Sequence, residues 1–436
     1  LLFLLACSAP DDSAAPVVEG EPSPIGGVTE ALVALDSASY AEISEAIPTA
    51  CPDVITKAMA GYSNDPPVAA DAHAEAYGAA PTPYHVHLAW TGDPSTSATV
   101  LWRTDYETMA AQIEIGPTEA YGTIVDGASF DIGTVTTNGR MHEVRVCGLP
   151  PGTTWHYRVG GVGGWSEDQV FTTAPPVGSR GSIRFGVAGD SRGSPSTWGQ
   201  ILAAMNTHGV DFRIFTGDAV TNGGTISQWD DWYDEGVGTF ESVPTMMAHG
   251  NHEGNNQIYY ALAGAPNNEE WYSFRYGNAY FASWNDTPGT TTDWQTQADW
   301  LAAELAATDA TWKVTFHHKA GYSSCRPNGE DANVRTWFVP VVEAGGVQLD
   351  LAGHNHNYER TFPLAGGVEV PQADGTLYVV TAGAGAPMYD NNQAFPYTAL
   401  FAESNHYVIV ELDGDVGTLW SYDLAGNLLD QVSLVP

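Results

Sequence analysis

The chain has 436 residues, enough to bury more than one core, and its 43% hydrophobic and 11% aromatic content belongs to folded material rather than to a disordered polymer. Its 15 basic residues against 52 acidic ones leave a formal charge of −37, and Lys57, Lys313 and Lys319 are the only lysines, so polyanions are repelled and nucleic acid is not an expected partner. The 4 cysteines are too few for a disulfide scaffold, and none lies in a Cys/His arrangement suited to nucleophilic catalysis.

In chain order, Leu1-Leu2-Phe3-Leu4-Leu5-Ala6-Cys7 is apolar and gives way to polar Ser8-Ala9-Pro10-Asp11-Asp12. Leu-Leu-Ala-Cys resembles a bacterial lipobox, which implies export and lipidation at Cys7; the alternative is an ordinary secretory signal with an incidental cysteine. Residues 1–30 are expected to be this signal remnant and a Pro/Ala/Ser-rich tether. Residues 31–81, with Leu32, Leu35, Tyr40, Ile43 and Ile47, suggest one or two short helices around Cys51. Once Cys7 is acylated, Cys51, Cys147 and Cys325 remain, allowing one bridge whose pairing the sequence leaves open.

Over residues 82–176 the apolar period falls to two: Val86, Leu88, Trp90; Val100, Trp102; His142, Val144, Val146; Trp155, Tyr157, Val159. Alternation of this kind predicts half-buried strands, and Gly148-Leu149-Pro150-Pro151-Gly152 turns the chain in the manner of a fibronectin type III-like β-sandwich. His85 and His87 are expected to fall on one face of the first strand, but without a partner motif nearby they are expected to be structural. Pro175-Pro176-Val177-Gly178-Ser179 is a stiff linker.

From residue 181 to 436, β-rich runs alternate with helical stripes. Trp198, Ile201, Leu202 and Met205 form one stripe; Trp300, Leu301 and Leu305 lie on a second; Trp337, Phe338, Val341 and Val342 form a third. Five of the β-rich runs end in residues that ligate metals. Ile183–Ala188 leads to Gly189-Asp190, and Phe212–Thr216 leads to Gly217-Asp218. Val243–His249 leads to Gly250-Asn251-His252-Glu253, Trp312–Phe316 to His317-His318, and Leu349–Ala352 to Gly353-His354-Asn355-His356-Asn357-Tyr358-Glu359-Arg360. In an open α/β sheet ligands bind beyond the carboxyl ends of the strands, so five such tips can share one crevice. Carboxylates, an amide and imidazoles without thiolates suit Zn, Mn or Fe.

The ordered set GD, GD, GNHE, a His motif and GHNHNYER resembles the calcineurin-like metallophosphoesterases, most nearly their purple acid phosphatase branch, over roughly residues 82–436. The resemblance implies a four-layer α/β/β/α catalytic domain behind the sandwich, and two divalent or trivalent ions. Metal one would take Asp190, Asp218 and His356; metal two would take Asp218, Asn251, His318 and His354, with Asp218 as bridge. Two such cations acidify a shared water and clamp phosphoryl oxygens during in-line attack. His317 and His318 compete for one ligand position, and the family spacing of Trp312 and Tyr322 favours His318. His252 resembles the histidine that meets the phosphate or protonates the leaving oxygen, and Arg192 is placed to pair with a phosphate oxygen.

Two departures limit the analogy. The tyrosine expected three residues after the second GD aspartate is Thr221, and Arg326-Pro327 stands where plant-like enzymes carry a His pair at the substrate mouth, so Arg326 becomes a candidate substrate contact. The sequence thus leads to an exported, lipid-anchored phosphatase acting on phosphomonoesters. The rivals are a phosphodiesterase on the same site and a surface binding or adhesion protein with a degenerate metal domain.

Overall fold

A computed structural model of the chain describes residues 47–52, 76–132, 136–287, 294–389 and 395–436. The stretches expected to be a lipobox and a tether, and most of the segment expected to hold helices before the sandwich, lie outside the described residues. At Cys51 the expectation is corrected, because Thr49–Ala50 is a short strand paired antiparallel with Val146 and Cys147. A disulfide between Cys51 and Cys147 ties it to its neighbour, while Cys325 is a buried thiol outside the bridge. Sheet pairing wins over the weak helical pattern there because a ready edge, the strand Arg140–Cys147, is held within reach by the cross-link.

The sandwich comprises two five-stranded sheets. Its alternating residues meet in one core that includes Val100, Trp102, Val144, Val146, Trp155 and Tyr157. His85 and His87 do not share a strand face, since the register shifts between Tyr84 and His87 and His85 takes a φ of 51°. Both rings instead join the sandwich to the next domain. His85 Nε2 lies 2.9 Å from Asp234 Oδ1 and His87 Nε2 is 2.9 Å from the Leu262 carbonyl. Arg103 reinforces this seam through Asp230, and the Tyr157 hydroxyl donates to the Glu241 carbonyl at 2.6 Å.

Beyond the linker stand a six-stranded and a seven-stranded sheet, packed face to face. In the first, the strands Ile183–Ala188, Phe212–Phe215 and Thr245–Met247 run parallel, so their carboxyl ends point the same way. In the second, Ala279–Ser283, Trp312–Phe316, Leu349–Ala352 and Leu377–Thr381 are likewise parallel. Period-two alternation builds the layers. Val408, Val410 and Leu412 enter the core between the sheets, whereas Tyr407 and Ile409 of the same strand face the helices α1 (Pro195–Asn206), α2 (Ile226–Asp234) and α3 (Gln257–Leu262). On the opposite face, Tyr280 and Ala282 meet α4 (Trp294–Ala307) and α5 (Val339–Ala344), while Phe281 between them turns inward. The predicted stripes are the buried faces of these helices: Trp198, Ile201, Leu202 and Met205 on α1, Leu301 and Leu305 on α4, and Phe338 and Val342 at the start and within α5. Fully burying one such side chain is worth roughly 1.5–3 kcal/mol, so each stripe fixes its helix across a sheet and holds the strand ends in place.

Candidate metal centre and active site

The five strand tips converge. Asp190, Asp218 and His354 each follow a glycine, and each takes a left-handed backbone conformation, with φ of 61°, 58° and 67°. Such strain at non-glycine residues persists only where surrounding structure over-determines it, and it clusters at functional sites. The preceding glycines are needed for approach rather than for turning alone. A Cβ on Gly353 would stand 2.6 Å from Asp190 Oδ2, and one on Gly217 would stand 2.8 Å from the Gly250 Cα. A side chain at either would force the tips apart.

The His318 Nδ1–H donates to the Thr216 carbonyl at 2.8 Å, which turns Nε2 into the crevice. Around that Nε2 lie Asn251 Oδ1 at 3.0 Å, His354 Nδ1 at 3.2 Å and Asp218 Oδ1 at 3.3 Å. The other group is looser: His356 Nε2 is 3.4 Å from Asp190 Oδ1, and the His356 Nδ1–H donates to the Pro387 carbonyl at 2.6 Å. The two Asp218 oxygens diverge, Oδ1 toward His318 and Oδ2 toward Arg192 Nε at 3.5 Å. The structure therefore brings together all six residues expected as ligands, with Arg192 above them.

His317 lies elsewhere. Its ring is held between Asp286 and Asp350 at 2.9 and 3.0 Å and stacks on Trp284 with centroids 4.1 Å apart. Burial opposes its charge, but those two carboxylates push it up to about 9. His252 is partly exposed; its Nδ1–H donates to the Thr221 carbonyl at 2.7 Å and its Nε2 faces Asp218 Oδ2 at 3.8 Å. Arg326 is exposed on the loop beside His354, where Asn328 Nδ2 donates to the His354 carbonyl at 3.2 Å.

Three supports were not assigned from the sequence. The Glu253 carboxylate accepts the backbone N–H groups of Asp218, Ala219 and Gly250 at 2.9, 2.8 and 2.7 Å, clamping two ligand loops together. Its place in the GNHE motif was the available signal. Asp286 accepts from the His318 and Lys319 amides, a long-range contact that leaves no local pattern. Tyr389 stacks on His356 with centroids 4.0 Å apart and planes at 15°. Glu359 receives the Ser324 amide and the Ser323 hydroxyl, and Arg360 pairs with Asp430, so both hold loops and strands.

The donor set fits metal ions. Tetrahedral or octahedral ligands at about 2.0–2.2 Å from an ion stand about 3 Å from one another, which is the spacing measured around His318 Nε2. Asp190 Oδ1 is buried without a hydrogen-bond partner, an open acceptor aimed at the site. Electrostatics agree. Burial would drive the His318 proton off, yet Asp218, Asp190 and Asp286 hold it, pushing His318 up to about 10. Burial would also raise Asp218, but His318 and His252 hold it well below the usual carboxylate range. Half-buried His354 falls to about 3, through the loss of solvent around it and the charge of His318 beside it. An imidazole nitrogen must be free of its proton to ligate, so metal uptake at His318 is coupled to proton release.

Comparison with known proteins agrees with this geometry. Residues 83–173 match the family model of the purple acid phosphatase N-terminal domain, and residues 183–358 match that of the calcineurin-like phosphoesterases. Human acid phosphatase type 7 is 28% identical over 361 residues, 70% of this chain and 78% of its own. An uncharacterized protein of Mycobacterium tuberculosis is 26% identical over 376 residues, 71% of each chain. The structure of the yellow lupin purple acid phosphatase PPD1 superposes with a TM-score of 0.69 at 22% identity, covering 81% of this chain and 74% of that one.

Proposed function

The chain belongs to the calcineurin-like metallophosphoesterases, in their purple acid phosphatase branch, and is a metal-dependent phosphoric ester hydrolase; within that class we propose that it hydrolyses phosphomonoesters at a two-metal centre. The observation that carries this reading is the convergence of Asp190, Asp218, Asn251, His318, His354 and His356 from five strand tips. Asp190, Asp218 and His356 would hold one divalent ion, of Zn, Mn or Fe, and Asp218, Asn251, His318 and His354 the other. Bound there, such ions polarise phosphoryl oxygens and lower the pKa of a bound water.

The chain's own groups do the rest. Asp218 lies between the two halves, and its carboxylate offsets cationic repulsion. The backbone N–H of Arg192 donates to the Asp218 carbonyl at 3.2 Å, and its guanidinium, with Nε 3.5 Å from Asp218 Oδ2, is offered as a planar donor for phosphate oxygens. His252, with Nδ1 committed to Thr221, presents Nε2 to the leaving group and donates a proton there when protonated. Arg326, exposed on the loop beside His354, is our candidate for contact with the substrate's non-reacting part. The apolar stretch ending at Cys7 and the Cys51–Cys147 disulfide both support export into an oxidising compartment, with lipid attachment at Cys7.

The test is turnover of an aryl phosphomonoester against the matching diester, on chelator-stripped protein and after return of zinc or manganese. The reading expects metal-dependent turnover with the monoester preferred at least tenfold. Diester preference would favour the phosphodiesterase reading, and absence of both activities in fully loaded protein would favour a binding protein.

A further inference from the structure

A second group of metal-ligating side chains lies in the β-sandwich, on the sheet that carries the strand Thr154–Gly161. His156 on that strand pairs with Gly116 on one side and Val170 on the other. Glu119 comes from the turn after Gln112–Gly116, and Asp168 from the residue before Gln169–Thr172. One ligand atom of each of these three residues lies within 4.8 Å of the others.

Local structure explains the convergence. A Cβ on Gly116 would stand 1.9 Å from the Tyr121 carbonyl oxygen, so only glycine lets the 117–121 turn fold back over the strand end opposite His156. That turn is closed by the Tyr121 N–H donating to the Thr118 carbonyl at 2.8 Å, and Tyr121 takes a φ of 52°. Asp168 is oriented twice, by the Tyr121 hydroxyl donating to Oδ1 at 3.0 Å and by His156 Nδ1 at 2.9 Å from Oδ2. An outer hydrogen bond of this kind, to the free oxygen of a ligating carboxylate, is usual at metal sites.

We propose that Glu119, His156 and Asp168 form a divalent transition-metal site, separate from the catalytic centre, that pins the 117–121 turn to the sheet. Charge and space support it. Glu119 and Asp168 border an open hollow of about 590 Å³ that Glu114 and Arg158 also line. Three carboxylates against one guanidinium leave two negative charges, which one divalent ion neutralises. Arg158 is already committed, paired with Glu114 and lying 4.9 Å from the Trp165 ring centroid. Among the described residues no arginine or lysine forms an ion pair with Glu119 or Asp168.

The chemistry selects the ion. One imidazole and two carboxylates favour zinc over calcium or magnesium, which prefer all-oxygen shells. Ligands of tetrahedral zinc stand about 3.3 Å apart, so the 2.9 Å His156–Asp168 pair needs to open by only a few tenths of an ångström. Three protein ligands leave a position for water.

The probe is zinc alone, on the full chain. Protein is equilibrated with zinc, desalted, and its bound metal counted for wild type, His156→Gln and Glu119→Gln. The proposal expects one equivalent fewer in His156→Gln, at least tenfold weaker binding of that equivalent in Glu119→Gln, and unchanged turnover on an aryl phosphate. Glu119 is exposed, so its substitution does not threaten folding. Equal metal content and affinity in all three proteins overturns the proposal. Loss of metal together with loss of turnover also overturns it, because the missing ion would then belong to the catalytic centre. Because turnover is read separately, failure here leaves the phosphatase reading standing.

Discussion

The Nδ1–H of His252 donates to the main-chain carbonyl of Thr221 across 2.7 Å, and that bond leaves the other ring nitrogen facing Asp218. A carbonyl can only accept, so the tautomer is fixed and Nε2 is the nitrogen available to substrate. His252→Gln is expected to lower kcat by roughly 10²- to 10⁴-fold on alkyl phosphates, the usual worth of a positioned general acid, and much less on nitrophenyl phosphate, whose leaving group needs no proton. Equal losses on both substrates would remove the acid role and leave His252 as a phosphate contact.

Thr221 also bears on colour. In the coloured members of the family, visible absorption is charge transfer from a tyrosinate to ferric iron, and here the position holds an exposed threonine. Tyr233 is no substitute, since its hydroxyl donates to the Leu262 carbonyl at 3.3 Å, and Tyr389 lays its ring flat on His356. An alkyl hydroxyl is far less acidic than a phenol, whose pKa is about 10, and offers no π orbital for the transition. Iron-loaded wild type is therefore expected to lack the band, Thr221→Tyr to gain it, and Tyr389→Phe to change nothing. A band in wild type that Tyr389→Phe abolishes would make Tyr389 a ligand.

Acid stability should depend in part on His406. It is fully buried, its Nδ1–H donates to the Ser404 carbonyl at 2.8 Å, and Nε2 has no hydrogen-bond partner. Burial pulls it down to about 4 from 6.5. Because the folded value lies below the unfolded one, the unfolded chain binds the proton first. The stability contributed by neutral His406 is complete above about pH 6.5 and is lost as pH falls toward 4, at most roughly 3 kcal/mol. Urea titrations between pH 4 and 7 should show a shallower decline in His406→Asn than in wild type; parallel declines would assign the acid limb to other groups.

The anchoring proposal makes a separate prediction. In the full-length precursor, Cys7→Ala should move the protein from the membrane fraction to the soluble exported fraction, since stable attachment needs more than one acyl chain and the processed cysteine carries them. Wild type found wholly soluble would end the lipid-anchor reading.

Much of this site was legible because each strand tip announces itself locally. An apolar run, a glycine and a ligand-type residue follow one another at Asp190, Asp218 and His354, since close approach of the tips demands the glycine and leaves a mark in adjacent positions. Layering was legible for the same reason, through period two in strands and the stripes of α1 and α4. Long-range pairs left no such mark. Asp286 precedes His317 by 31 residues, and nothing local tells which carboxylate a buried imidazole will meet. The Thr49–Ala50 strand was hidden because two residues carry no period, and its place depends on the disulfide partner at Cys147. His85 and His87 looked like a same-face pair until the register shift separated them.

The central claim is that Asp218 serves both ions of a two-metal phosphatase, and metal content of Asp218→Ala tests it most directly. The measurement is made in the His156→Gln background, so that any ion of the sandwich is not counted, with turnover of an aryl phosphate read on the same samples. The parent protein is expected to retain two equivalents of zinc or manganese and full activity, and the Asp218→Ala variant to lose both the metal and at least 10³-fold in kcat, since about 4 kcal/mol of transition-state stabilisation is a modest share for such a centre. A variant that keeps two equivalents and turns over like its parent would contradict the account.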